Sequence, residues 1–168
     1  MKVKADRSKA PNENQSLKTG IQQVNNLALG DAFCVEDVAA WEVILTAALA
    51  SRADENDPVD LAILAEVKNR DAFNSYELVR FQPFGIADER SEATVKAADG
   101  KTFKVTKGTP QAILALASNA SEVRLKVENA VSEFAAKGFC SIGVARSDCG
   151  GKWLFLGVLP LFGTTAEK

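Results

Sequence analysis

Apolar and polar positions along this chain switch between two periods. Phe103 and Val105 alternate with Lys104 and Thr106, the two-residue repeat of a half-buried strand. Before them, Glu92 to Ala98 forms a second β-prone run, and Asp99-Gly100 separates the two. That dipeptide predicts a tight hairpin of type I′, whose two central residues both need positive φ. With Tyr76 to Pro83 as a preceding strand, the stretch reads as a β-meander. Its last strand delivers Lys107-Gly108 to a helix opened by Thr109 as cap and Pro110 at the first helical position, running to Ala117.

The rest follows from the same periods. Leu27 to Val35 reads as a strand broken at Gly30-Asp31. Glu36 and Asp37 are expected to open a helix whose buried face is Val38, Trp41, Leu45, Ala48 and Leu49. Asp57 caps a further helix, with Pro58 at its first position and Asp60 at the capping-box position. Leu61, Leu64, Ala65 and Lys68 carry that helix to about Arg70, and Ala72 to Ser75 then forms a loop. Ser121 to Lys137 is a long helix with Val123, Val127, Ala130, Val131 and Phe134 on one face, capped by Ser121 and stopped by Gly138. Phe139 to Arg146 is a strand, Asp148 to Gly151 a hairpin turn, and Trp153 to Pro160 a strand apolar enough to be central. Met1 to Ser16 has no periodicity and is expected to be a mobile tail.

Composition narrows the function classes. The 168 residues, 46% hydrophobic and 25% charged, suit one soluble domain, here residues 17–168. A net charge of −2 gives no reason to expect a nucleic-acid or membrane-surface partner. No apolar run approaches the roughly 20 residues that span a bilayer, and the N-terminus does not resemble a signal peptide. The three cysteines have no metal-ligand spacing and fit a reducing, cytoplasmic setting. The absence of histidine removes the usual histidine-dependent hydrolase and zinc arrangements. A lysine at a strand end, beside a glycine and facing a helix start, is a candidate anion site.

Several of these segments, in this order, resemble the nucleotide-binding (N) domain of P-type ATPases, nearest the proton-pumping branch. Lys107-Gly108-Thr109-Pro110 is similar to the family's Lys-Gly-Ala-Pro, and Phe81-Gln82-Pro83-Phe84 to its Phe-x-Pro-Phe. Phe139 to Arg146 resembles its Gly-Phe-Arg-x-Leu-x-Val-Ala-x strand, with Cys140 in place of the arginine. Leu17-Lys18-Thr19-Gly20 resembles the segment beginning Asp-Lys-Thr-Gly-Thr, with Leu17 where the family has its phosphorylated aspartate. The likeness spans about Leu17 to Phe162, and Gly163 to Ala166 stands where the family has an Asp-Pro-Pro-Arg hinge.

The resemblance implies an α+β fold, an antiparallel six- or seven-stranded twisted sheet flanked by helices. It implies binding of ATP or ADP, with adenine stacked on Phe84 and its amino group near Asp60. Lys107 and Gly108 would line the pocket, and Arg146 would approach the β-phosphate. Two departures weigh against tight binding: Gly85 replaces a polar residue, and Glu89 replaces a lysine, leaving Arg90 as the neighbouring cation. No visible ligand cluster calls for magnesium. With Leu17 at the phosphorylation position, no autonomous ATPase activity is expected. Two readings stay open. One is a stand-alone adenine-nucleotide-binding domain. The other is a degenerate module without nucleotide affinity that acts through protein contacts, for instance with a membrane P-type ATPase.

Overall fold

A computed structural model describes residues 26–148 and 151–164. The tail at 1–16, the Leu17–Gly20 segment, Cys149, Gly150 and residues 165–168 lie outside the described residues.

Among the described residues the chain forms seven strands and five α-helices. In order they are β1 (Leu27–Leu29), β2 (Phe33–Cys34), α1 (Ala40–Leu49), α2 (Pro58–Ala65), α3 (Arg70–Asn74), β3 (Glu77–Gln82), β4 (Arg90–Lys96), β5 (Thr102–Gly108), α4 (Pro110–Leu116), α5 (Ala120–Ala136), β6 (Cys140–Ser147) and β7 (Trp153–Gly163). One sheet runs β1-β7-β6-β5-β4-β3, with β2 also on β7, and every pairing is antiparallel. The expected α+β architecture, with a seven-stranded antiparallel sheet, is the observed one.

Strands β6 and β7 are covered on both faces. On one side Val43, Ala47 and Ile63 of α1 and α2 pack on Val144 and Leu159. On the other, Ile113, Val123 and Val127 of α4 and α5 pack on Ala145, Phe155 and Val158. A third cluster joins Ala50, at the end of α1, to Ala93, Val95 and Val105 of the meander. β7 is central, as its composition predicts, and it carries Pro160. The Pro160 carbonyl accepts from Gly30 N at 2.9 Å. A strand residue's N and O point the same way, so the missing N–H faces the break between β1 and β2, where no ladder partner is forfeited.

Several local expectations need correction. The β4–β5 hairpin is not type I′: Gly100 alone has positive φ (88°), and Asp99 does not. Gly100 N donates to Ala97 O, and Ala97 N to Lys101 O, which is a type I turn followed by a left-handed glycine. Helix α1 starts at Ala40, not at Glu36, because Asp37 is left-handed (φ 70°). Its first-turn acid is Glu42, which accepts from Ala39 N at 3.0 Å. Its buried face is Val43, Thr46, Ala47 and Ala48, while Trp41 is 64% exposed. Small side chains let α1 approach β7 closely. A Cβ on Gly157 would lie 2.4 Å from Phe33 O and 3.0 Å from Val43.

Helix α2 ends at Ala65 rather than near Arg70, and the expected loop at 72–75 belongs instead to α3, capped by Asn69 through Ala72 N. Asn119, not Ser121, precedes α5. Its amide is turned to the sheet, accepting from Phe155 N and donating to Phe155 O. At the other end Gly138 (φ 82°) stops α5 as expected. Phe139 N reaches Phe134 O, and Gly138 N reaches Ala135 O, both at 2.9 Å.

Candidate nucleotide-binding cleft

Where the start of α2 faces the inner side of β3 to β6, the fold leaves a cleft of about 390 Å³. That size lies within the range of small-molecule sites. Its walls include Asp60 from α2, Phe84 from the segment after β3, Ser91 from β4, and Lys107 and Gly108 from β5.

Asp57 makes the α2 end of the cleft. Its carboxylate accepts from Val59 N at 2.8 Å and from Asp60 N at 3.3 Å, and Pro58 fills the first helical position. This frees Asp60 from capping and turns it inward. Asp60 Oδ2 accepts from Arg52 N at 3.0 Å, and Oδ1 pairs with Lys107 Nζ at 2.7 Å. The two side chains are only 10% and 7% exposed. Lys107 Nζ also donates to Ser91 Oγ at 3.0 Å and to the Ala50 carbonyl at 3.2 Å. An ammonium has three hydrogens, and all three have partners here. Ala50 ends α1, so the lysine places its charge where the helix dipole is negative. Lys107 thus fastens three elements together: the end of α1, the start of α2 and strand β4.

Phe84 is different in kind. It lies beyond β3 with its ring 55% exposed on the cleft wall, open to a flat apolar partner. The segment after it is held by Glu89, whose carbonyl accepts from Thr109 N at 3.0 Å and whose Oε1 accepts from Thr109 Oγ1 at 3.1 Å. Glu89 is left-handed (φ 57°). Gly108 faces this segment: a Cβ there would fall 2.2 Å from Glu89 O and 2.6 Å from Arg90 Cβ. The glycine admits a backbone crossing.

The structure therefore brings together Asp60, Phe84, Lys107 and Gly108. Arg90 and Arg146 do not line the cleft. Along β4 the buried positions are Ser91, Ala93 and Val95, so Arg90 projects from the opposite face, paired with Glu92 at 2.7 Å. Arg146 lies opposite Val105 in the β5–β6 ladder, towards the β4–β5 hairpin, with its guanidinium 4.3 Å above the Phe103 ring. Sequence reasoning missed Ser91, the Ala50 carbonyl and Phe81, over whose ring the Arg52 guanidinium lies at 5.3 Å. Ser91 had a signal, a polar residue at an inward position of the Ser91-x-Ala93-x-Val95 repeat, and Phe81 opens the Phe-x-Pro-Phe-like segment.

Cys34 and Cys140 are free thiols, and Cys140 is exposed. Burial, and then the nearby Glu42 carboxylate, push the Cys34 thiol above its ordinary value. Near neutral pH Cys140 is therefore expected to alkylate well ahead of Cys34. Peptide mass mapping over time checks this, and equal rates would show that Cys34 is not shielded.

No protein-family model matches the chain. It is 37% identical, over 89% of its own length, to a Methanocaldococcus jannaschii protein named as a cation-transporting ATPase. It is 34% identical over 85% of its length to plasma membrane ATPase 2 of Schizosaccharomyces pombe. It is 33% identical over the same share to plasma membrane ATPase 1 of Saccharomyces cerevisiae. The match spans only 19%, 15% and 17% of those three proteins, respectively. Among the described residues, no helix is long and apolar enough to cross a membrane.

Proposed function

We propose that this chain, which is homologous to one segment of the P-type cation-transporting ATPases, binds an adenine nucleotide in the cleft between α2 and the meander. The observation that carries the reading is the pairing of a half-exposed aromatic face, Phe84, with a buried carboxylate, Asp60, on one cleft. The base stacks on Phe84. Each oxygen of Asp60 makes one hydrogen bond within the protein, which leaves lone pairs to accept from the exocyclic amine. Lys107 holds that carboxylate in place, and Gly108 lets the Glu89 backbone close the wall.

The same reading gives the chain no phosphoenzyme of its own. In the resemblance Leu17 takes the place of the phosphorylated aspartate, and an aliphatic side chain is no nucleophile. ATP or ADP is a ligand here, and any hydrolysis belongs to other segments of a pump.

A titration with ATP and ADP followed by amide chemical shifts tests the binding. Saturable shifts are expected at Phe84, Asp60, Lys107 and Gly108. Phe84→Ala is expected to weaken binding by roughly 5- to 150-fold, the measured range for one stacked base. Its half-exposed ring predicts an unchanged unfolding midpoint. Shifts that survive this substitution would place the ligand elsewhere.

A second reading, a module acting through protein contacts, is favoured by one observation. The Glu89 carboxylate sits beside the cleft wall at Thr109, where it opposes an anionic ligand. No saturation at millimolar ATP would favour it, with a full-length P-type ATPase as the first partner to try.

A further inference from the structure

We propose that the cleft recognises the nucleoside end of its ligand and gains no affinity from the phosphates. This rests on the adenine-nucleotide reading above and concerns which part of that ligand the site holds.

Tight phosphate binding needs a cation, or backbone N–H groups, free to turn towards the anion. Along α2 and β5 the cleft offers neither. Lys107 is the cation on its wall, and its three hydrogens point to Asp60, Ser91 and Ala50. Turning the ammonium towards a phosphate would weaken its buried pair with Asp60. The other two candidate cations are engaged outside the cleft, Arg90 with Glu92 and Arg146 over Phe103.

Several backbone donors beside the cleft, at the start of α2 and around Thr109, are likewise taken. Val59 N and Asp60 N donate to the Asp57 carboxylate, Thr109 N to Glu89 O, and Ala112 N to Thr109 Oγ1. Arg52, whose guanidinium lies over Phe81, is paired with Asp54 at 2.6 Å, and two carboxylates flank the cleft. Asp57 lines the cleft, and the exposed Glu89 carboxylate is bonded to the lining Thr109. Each added phosphate therefore brings charge towards two carboxylates, and the donors at α2 and Thr109 are already taken. The groups suited to a ligand are the Phe84 face and the Asp60 lone pairs, and both match the base.

Calorimetric titration of the full chain with adenosine, AMP, ADP and ATP, at low and high salt, tests this. The expected dissociation constants lie within about threefold of one another, and raising salt does not weaken ATP relative to adenosine, because it screens the repulsion by Glu89. Glu89→Gln keeps an acceptor for Thr109 and removes the charge. It should tighten ATP by about 2- to 5-fold and leave adenosine unchanged. Binding of ATP about tenfold or more tighter than adenosine, with the advantage fading at high salt, would overturn the proposal while leaving the adenine reading intact. An ATP affinity unmoved by Glu89→Gln would overturn the part given to Glu89. If none of the four ligands saturates, the adenine reading falls, and this inference falls with it.

Discussion

Replacing Lys107 with methionine is expected to destabilise the domain by about 3–5 kcal/mol, read as a lower urea midpoint at unchanged slope. Methionine keeps most of the length and the apolar stem of lysine, so little cavity forms. What is lost is the ammonium. The Asp60 carboxylate would be left 10% exposed with one hydrogen bond, from Arg52 N. The Ser91 hydroxyl would lose a donor, and the carbonyl ending α1 would keep only the bond from Ser91 Oγ at 2.9 Å. Since domains are stable by only about 5–15 kcal/mol, the variant should sit near its limit. A double-mutant cycle separates this from a general packing defect. Lys107→Met combined with Asp60→Asn should recover part of the loss, because no unpaired charge remains buried. A single-variant cost below about 1 kcal/mol, the scale of a surface pair, would show that the pair is solvated and fastens nothing.

Gly108→Ala is the second large effect, expected to cost about 3 kcal/mol or more by the same measurement. The added methyl would meet Glu89 O at 2.2 Å and the Arg90 Cα at 2.7 Å, atoms fixed by the β4–β5 ladder and by the bond from Thr109 N. No rotamer relieves a clash with backbone. The chain must spread between Glu89 and Thr109, which also moves Phe84 off the cleft wall. Gly85→Ala is the matched control: nothing lies within 4 Å of its new Cβ, and Gly85 has no positive φ. It should change stability by less than about 1 kcal/mol. Equal, small effects at both glycines would show that the crossing at Gly108 is looser than described.

Much of this was legible in the sequence where a local rule decides the outcome. Asp57-Pro58, Thr109-Pro110 and Gly138 set helix ends through bonds to residues two to five positions away, and all three do so in the structure. The strands of the meander follow from alternation. What could not be read locally was decided by distant partners. Trp41 looks like a core residue by size, but the small Ala47 and Ala48 let α1 lie on the sheet, so the tryptophan faces out. Asn119 looks like a poor cap because its amide is held by Phe155, 36 positions away. At the cleft, residue type and family likeness pointed to Lys107 and Asp60, but gave each a separate ligand contact. That they bond to each other depends on the fold bringing β5 to α2. The arginines show the opposite case: a strand-end position does not say which face or which row of the sheet a side chain takes.

The pairing of β1 with the end of β7 has a mechanical consequence. Leu27 lies opposite Gly163, and Thr164 N donates to Asn26 O at 2.9 Å, so the two ends of the described segment leave side by side from one antiparallel pair. Tension that draws those ends apart loads one rung of that ladder at a time, beginning at Asn26. It unzips the pair rather than shearing it. The Asn26–Thr164 rung holds none of the residues that line the cleft, so it can open first and leave the cleft walls in place.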